Sequence, residues 1–316
     1  MTEIKRTYLI AILILIAAIL LSLFLRLDFS NAALLLKELR FPRMIAAVAV
    51  GGALAISGAV MQTVLGNPLA DPYTLGIASG AALGAAMAST LGFHLSFFGL
   101  NVGAVLGAIL VLIALLKLVV KGARKSESMI LLGVMISLTC ASLLAIWMAL
   151  ADPMGVQSIT FWLLGDLSRV ELKSGLALLG LTLVIATYFW FFSRKLDSFL
   201  LGENTVESFG VSLEQTQKAS ILLVSILVGF CVSAVGMIGF VGLIIPHLVR
   251  QRLRSSFHYH LIPLAFITGA AVLVLSDALA RSVSEPHELP VGAITALVGA
   301  PLFIYLFMKR KRGDLA

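Results

Sequence analysis

Residues Arg43 to Gly84, RMIAAVAVGGALAISGAVMQTVLGNPLADPYTLGIASGAALG, decide the fold of this chain. Two apolar runs rich in Gly, Ala and Ser lie on either side of the polar insert GNPLADP at 66–72. Lipid-facing helices need only large apolar residues, so this density of small residues indicates helices that pack backbone to backbone. The insert places Asn67, Asp71 and two prolines between apolar helices, where irregular backbone is tolerated only beside protein or water. The stretch therefore predicts the interior of a polytopic membrane protein.

Composition extends this prediction to the whole chain. Hydrophobic residues make up 60% of the 316 residues and charged residues only 12%, with a mean hydropathy of +1.06. Soluble domains carry roughly 25% charged residues. About ten spans of ~20 residues use nearly the full length, which leaves no room for a soluble catalytic domain of ~100 residues. We predict an all-α integral membrane protein with a single transmembrane domain over residues 1–316.

Nine apolar runs are candidates for the spans. They cover residues 8–25, 44–65, 73–93, 97–120, 128–151, 174–193, 219–249, 261–283 and 289–308. As one helix the run 219–249 would be ~46 Å long, against a hydrocarbon core of ~30 Å. A break near Gly236–Gly239 divides this run and raises the count to ten. The first run is long and has no A-x-A-like site close behind it, which favours a membrane helix over a cleaved signal peptide.

The distribution of basic residues supports ten spans with both termini in the cytoplasm. Sixteen of the 23 Lys and Arg residues then lie on the cytoplasmic side, as the positive-inside rule expects. With nine spans the tail KRKR at 309–312 would lie outside. The net charge of +7 arises from these short clusters between apolar runs, so no nucleic-acid partner is predicted. Ten spans place the chain in a plasma membrane as a multi-pass protein.

Two polar regions are candidates for binding other proteins. The segment 194–218, RKLDSFLLGENTVESFGVSLEQTQK, falls on the cytoplasmic side and alternates apolar anchors with acidic residues, which suits either a docking surface or a solvated connector. Arg40 and Arg43 flank Pro42 on the outer side, and Arg281 follows Asp277 by four residues, a spacing that allows an ion pair. These three arginines are either interfacial residues that reach toward water or a basic rim for acidic groups.

Signatures of catalysis are absent from the sequence. It contains no G-x-x-x-x-G-K-[ST], HExxH, CxxC or GxSxG pattern, so no catalytic residue, metal ligand or bound cofactor is predicted. Cys140 and Cys231 lie inside apolar runs and suggest neither a disulfide nor a metal site. The carboxylates fall near span ends, whereas an ion-coupled carrier usually has one near the bilayer midplane. An ion-coupled secondary transporter is therefore the weaker alternative.

Four segments together resemble the FecCD-type permeases. They are SGAVMQTVLGNPLADPYTLGIASGA (57–81), FWLLGDL (161–167), GFVGLIIPHLVR (239–250) and ELPVGAITALVGAPLFIYL (288–306). This family comprises the membrane subunits of bacterial ABC importers for iron-siderophores, heme and vitamin B12. The resemblance implies the type II ABC importer permease fold, ten transmembrane helices per subunit, a homodimer, and two separate ATPase subunits that bind ATP and Mg. It also implies a periplasmic or lipid-anchored substrate-binding protein and location in the bacterial inner membrane.

The resemblance also implies roles for particular residues. The cytoplasmic loop within 194–218 would couple to the ATPase through Gly202, Glu203, Val206, Phe209, Gly210 and Val211. The binding protein would dock on Arg40, Arg43 and Arg281, which occupy the RxPR and DxxxR places of the vitamin B12 permease. The fifth span resembles the helix that lines the pathway, with candidates Met135, Ser137, Thr139, Ser142 and Met148. These side chains suit a bulky metal chelate, and they would equally suit a smooth wall for a small oxyanion such as molybdate.

Overall fold

A computed structural model of the chain describes residues 2–25, 32–91, 96–97, 100–120, 126–201, 212–283 and 288–311. Within these ranges the chain is helical apart from short connections and one pair of two-residue strands. Strands β1 (Ser96–Phe97) and β2 (Leu100–Asn101) are antiparallel, and Ser96 pairs with Asn101. The predicted all-α class is confirmed.

The longer helices are numbered in chain order. They are α1 (Thr2–Phe24), α2 (Phe41–Val64), α3 (Ile77–Thr90), α4 (Val102–Val120), α5 (Ser126–Leu150), α6 (Pro153–Leu163), α7 (Leu172–Phe191), α8 (Leu213–Val235), α9 (Val241–Leu253), α10 (His258–Val283) and α11 (Val291–Lys311). A short helix (Ala32–Leu34) and a π-helix (Leu35–Arg40) run directly into α2. A 3-10 turn (Pro72–Leu75) precedes α3. A short helix (Ser193–Asp197) and a 3-10 turn (Ser198–Leu201) follow α7.

Six of the described helices are long and apolar enough to cross a membrane, namely those that contain α1, α2, α5, α7, α8 and α10. The apolar parts of α3, α4 and α11 are shorter, at 77–89, 102–118 and 291–306. A helix overlaps each half of the divided 219–249 run and each of the other eight predicted runs. The count of ten spans stays a prediction, because length and composition identify six.

The predicted break in the run 219–249 is confirmed. Helix α8 ends at Val235 and α9 begins at Val241. Gly236 has φ 74° and ψ −162°, a conformation that a side chain would disfavour, and Phe240 also has a positive φ of 69°. The glycine at the helix end therefore permits the change of direction, and the 236–240 segment separates two helices.

Helix α2 forms the centre of the bundle. Nearly all its residues are buried, and α7, α8, α9 and α10 pack around it. Small residues allow this close approach: a Cβ on Gly51 would lie 2.4 Å from the carbonyl oxygen of Gly269, and one on Gly58 would lie 1.8 Å from that of Gly242. Backbone contact between helices is thus the reason for the small residues of α2.

The run of small residues that follows the polar insert, on α3, packs against small residues of α4. A Cβ on Gly80 would lie 2.8 Å from the carbonyl oxygen of Gly107, and one on Gly84 would lie 2.1 Å from that of Gly103. The glycines of the two helices therefore face each other, and the two helices are held at backbone distance.

The polar insert turns back into the bundle after α2. Asp71 caps the 3-10 turn by accepting a hydrogen bond from Tyr73 N at 2.9 Å, and Thr74 Oγ1 accepts one from Asp71 N at 2.8 Å. Pro72 is buried beside Gly242, where a Cβ on that glycine would lie 2.5 Å from the proline ring. Desolvation raises the pKa of Asp71 to about 6, and its hydrogen bond from Tyr73 acts in the opposite direction. The irregular backbone of the insert thus lies against protein, which is required of non-helical backbone between two membrane helices.

Candidate functional site

A group of charged residues and one serine, here called the Arg43 cluster, joins the start of α2 to the end of α10. It consists of Ser22, Arg43, Asp277, Arg281 and Glu288. Arg43 Nε lies 2.6 Å from Asp277 Oδ1, and Arg43 Nη1 lies 2.5 Å from Glu288 Oε2. The Asp277 side chain is fully buried and that of Arg43 is 10% exposed, whereas that of Glu288 is 48% exposed. One carboxylate of the cluster is therefore internal and the other is accessible.

Arg281 completes the contacts of the buried carboxylate. Its Nε lies 3.1 Å from Asp277 Oδ2, which confirms the ion pair expected from the four-residue spacing. Its Nη2 donates to Ser22 Oγ at 2.8 Å, near the end of α1. Asp277 thus has one arginine on each oxygen, the arrangement that a buried carboxylate requires because removal from water is costly.

Arg40 binds the end of α1 instead. Its Nη1 donates to the carbonyl oxygens of Leu23 at 2.9 Å and Leu25 at 2.6 Å. Carbonyls at a helix C-terminus lack partners within the helix and carry partial negative charge, so a guanidinium is well placed there. The structure brings Arg40, Arg43 and Arg281 to one end of the bundle, as predicted, and gives each an acceptor within this chain.

From the sequence, Glu288 is only one of several carboxylates near span ends. It precedes α11 by three residues, yet it pairs with an arginine 245 positions earlier in the chain. No local period connects the two residues. The signal that was available is its place at the start of the motif ELPVG, directly before an apolar run.

Helix α5 carries the predicted pathway residues, and the structure divides them between two faces. Met135, Thr139 and Ser142 are exposed and share one face, since they are four and three residues apart. Ser137 and Met148 are half-buried and lie on the opposite side of the helix, because each residue turns the helix by about 100°. Thr139 Oγ1 donates to Met135 O at 2.9 Å, so its hydroxyl is already bonded within the helix.

The predicted ATPase-coupling residues lie outside the described residues. Gly202, Glu203, Val206, Phe209, Gly210 and Val211 all fall in the range 202–211. The residues that follow are described: Ser212 caps α8, because its Oγ accepts a hydrogen bond from Gln215 N at 3.3 Å. Within the described ranges, no three His, Cys, Asp or Glu side chains are arranged to hold a metal ion.

The four motif segments named in the sequence analysis converge on the break between α8 and α9. The Tyr73 hydroxyl donates to Ile238 O and accepts from Ile238 N, both at 3.1 Å. Asp166 N donates to Val235 O at 2.8 Å, and Val291 N donates to Gly165 O at 3.2 Å. The segment 288–306 also reaches the break through Gly299, where a Cβ would lie 2.6 Å from Phe240 Cβ. Separate parts of the sequence thus form one packing centre.

Comparison with known proteins agrees with this arrangement. The sequence matches the FecCD transport family over residues 4–309. The chain belongs to the FecCD transport family. It is therefore a membrane permease of an ABC transporter. In this family a separate subunit hydrolyses ATP.

Two curated relatives and one solved structure illustrate the likeness of this FecCD permease. The hemin transport system permease protein HmuU of Yersinia pestis is 34% identical over 278 residues, which cover 87% of this chain and 83% of that protein. The vitamin B12 import system permease protein BtuC of Vibrio vulnificus is 32% identical over 276 residues, again 87% and 83% of the two chains. A structure described as an inward-facing conformation of a metal-chelate type ABC transporter has a TM-score of 0.87 and 31% identity. That alignment covers 97% of this FecCD chain and 99% of the other.

Proposed function

We propose that this chain is the permease subunit of a type II ABC importer that carries a metal chelate inward across the bacterial inner membrane. The observation that most directly supports this proposal is the structural match to a metal-chelate transporter over 97% of the chain. The hemin and vitamin B12 permeases are similar to this chain at 34% and 32% identity, so relatives with different cargo are almost equally distant. We therefore propose a cargo class of iron-siderophore, heme or cobalamin.

The proposed assembly contains two copies of this chain, two ATPase subunits and a substrate-binding protein. The second copy is proposed to contact the exposed face of α5, where Met135, Leu138 and Ile146 are all at least half exposed in the single chain. Large apolar side chains at this density need a covering of protein or lipid. In this proposal Met135, Thr139 and Ser142 face the translocation pathway, while ATP and Mg bind only to the partner ATPase.

We propose an orientation in the membrane from the residues at the two ends of α2. Trp190 and Tyr259 lie together at the end that holds Thr63, where Trp190 Nε1 donates to Tyr259 O at 3.1 Å, and Tyr8 packs against the adjacent His260. Aromatic residues of this kind are enriched where a membrane meets water. We assign this end to the cytoplasm, because the basic residues concentrate there, and the end that holds the Arg43 cluster to the periplasm.

Docking of the binding protein is proposed at Arg40, Arg43 and Arg281. Three arginines and the two carboxylates Asp277 and Glu288 leave this region with an excess of positive charge. Such a region attracts acidic groups of a partner and sets the orientation in which it docks. In the proposed cycle, ATP closes the ATPase subunits, the loop within 194–218 transmits their movement, and the helices alternate between two states.

Reconstitution into liposomes tests the proposal. Permease, ATPase subunits and binding protein of one transport system are combined, and uptake of heme, cyanocobalamin and a ferric siderophore is measured with and without ATP. We expect ATP-dependent uptake of one of these chelates. Uptake of molybdate alone would overturn the cargo class, and uptake driven by an ion gradient without ATPase subunits would overturn the importer assignment.

A further inference from the structure

A second polar group, here called the Thr63 cluster, lies at the opposite end of α2 from the Arg43 cluster. It consists of Gln62, Thr63, Asp197, Arg250 and His258. These residues come from four elements: the last turn of α2, the short helix Ser193–Asp197, α9 and the first residue of α10. Four helical elements are thus tied together by side chains at one level of the bundle.

His258 connects the short helix to α2. Its backbone N and its Nδ1 lie 2.8 and 2.6 Å from Asp197 Oδ1, so this carboxylate caps the start of α10 from another element. Its Nε2 lies 2.9 Å from Thr63 Oγ1 on α2. His258 is fully buried and Thr63 is 7% exposed. The imidazole therefore bridges two helical elements with both ring nitrogens engaged.

Arg250 brings α9 into the same network. Its Nη2 donates to Ala59 O at 3.1 Å and to Thr63 Oγ1 at 3.3 Å, while its Nη1 donates to Gln62 Oε1. Gln62 Nε2 in turn donates to Leu243 O at 3.1 Å. A buried polar network whose members are all bonded is stiff, because moving one member leaves its neighbours without partners.

The position of Asp197 distinguishes this network from an ordinary structural one. Only Ser198–Leu201 separates Asp197 from residues 202–211, here called the coupling segment, for which the resemblance to FecCD permeases implies coupling to the ATPase. At the other end, α2 and α10 carry Arg43 and Asp277. Midway between the two clusters, these helices touch backbone to backbone at Gly51 and Gly269. The same helix pair therefore connects the start of the coupling segment to the proposed docking site.

We propose that Asp197 and His258 are positioning residues that form the joint between the coupling segment and the α2–α10 pair. Movement of the coupling segment then reaches both helices through this joint, and docking at the Arg43 cluster reaches the ATPase by the reverse route. This inference rests on the proposed function, because it takes the ATPase side of the protein from it. Thr63 is the contact through which the joint holds α2.

Binding-protein stimulation of ATP hydrolysis in the full complex tests the joint, and this readout requires no knowledge of the cargo. Thr63→Val removes the hydroxyl and keeps the side-chain shape. Asp197→Ala removes the oxygen that bonds to both the backbone N and the Nδ1 of His258, whereas Asp197→Asn keeps one oxygen in place. Ser198→Ala is the matched control, since the Ser198 hydroxyl bonds only to Lys195 O, at 2.6 Å, among the described residues.

We expect Thr63→Val and Asp197→Ala to reduce the stimulation by about tenfold, within the usual range of coupling between sites. Thr63→Val should still bind the ATPase subunits, and Asp197→Asn and Ser198→Ala should behave like the wild type. If Thr63→Val retains the stimulation, the proposed joint is wrong. It is also wrong if, in every variant, the stimulation falls only in proportion to a fall in the unfolding temperature. Wild-type permease that binds no ATPase subunit would instead contradict the proposed function.

Discussion

The guanidinium of Arg43 lies 2.6 Å from the carboxylate of Asp277, although 234 positions separate the two residues in the chain. The contact joins the first turn of α2 to the last turns of α10. Asp277 is completely buried and shares its second oxygen with Arg281. Two helices that run through the centre of the bundle are thus fixed to each other at one end by charge and midway by glycine contact.

Replacing Arg43 by Met should destabilise the protein strongly. The substitution leaves the buried Asp277 carboxylate with a single arginine, and breaking a buried pair from one side typically costs about 3–5 kcal/mol. The double variant Arg43→Met with Asp277→Leu should recover most of this loss, because no buried carboxylate remains and Arg281, whose side chain is 15% exposed, keeps Ser22 as its acceptor. Thermal unfolding of the purified protein in detergent measures both effects. A double variant no more stable than Arg43→Met would contradict this account.

Replacing Glu288 by Gln should strengthen docking of the binding protein. The Glu288 carboxylate occupies Arg43 Nη1 and is 48% exposed, so it competes with any incoming carboxylate for the same guanidinium. Removing its charge should raise the affinity of the binding protein a few-fold at low salt, with less effect at high salt. Surface plasmon resonance on the permease in nanodiscs measures this affinity.

A suitable control for the docking experiment is Glu38→Gln. Glu38 lies at the same end of the bundle, is exposed, and pairs only loosely with Lys37 at 3.8 Å. Its replacement removes the same charge without freeing Arg43. Equal gains in both variants would show that long-range charge alone sets the affinity, and no gain in Glu288→Gln would contradict the competition.

Local patterns predicted much of this fold. Gly80 and Gly84 on α3, the break near Gly236, and the pairing of Asp277 with Arg281 all follow from residues close together in the chain. Each depends on helix period or backbone freedom, which a sequence displays directly. The opposite faces of Met135 and Ser137 on α5 follow from the same period, so this division was also available from the sequence.

Contacts between distant segments could not be predicted in this way. Nothing within a few residues of Arg43 indicates Glu288, and nothing near Thr63 indicates His258. Tertiary packing also decided that Pro72 returns into the bundle beside Gly242, because the insert alone could equally end in water. The π-helix at Leu35–Arg40 has no sequence signal that we recognise.

Replacing Tyr73 by Phe should destabilise the 236–240 segment that separates α8 from α9. The Tyr73 hydroxyl is bonded to both the N–H and the C=O of Ile238, a residue that is 1% exposed. Removing the oxygen leaves buried backbone groups without this partner, at about 1–3 kcal/mol each. Tyr305→Phe is the control, because Tyr305 is 56% exposed on α11. Hydrogen exchange should rise over 236–240 in Tyr73→Phe alone, and unchanged exchange there would argue against the role of this hydroxyl.

The glycine contacts predict that two Gly→Ala substitutions change the stability of the protein in opposite directions. A Cβ on Gly58 would lie 1.8 Å from the carbonyl oxygen of Gly242, so Gly58→Ala must push α2 and α9 apart at about 1–3 kcal/mol or more. A Cβ on Gly180 of α7 meets no atom within 4 Å, so Gly180→Ala should stabilise the helix by up to about 1 kcal/mol. Thermal unfolding in detergent should therefore place the two variants on opposite sides of the wild type. A Gly58→Ala variant as stable as Gly180→Ala would mean that α2 and α9 do not approach at backbone distance.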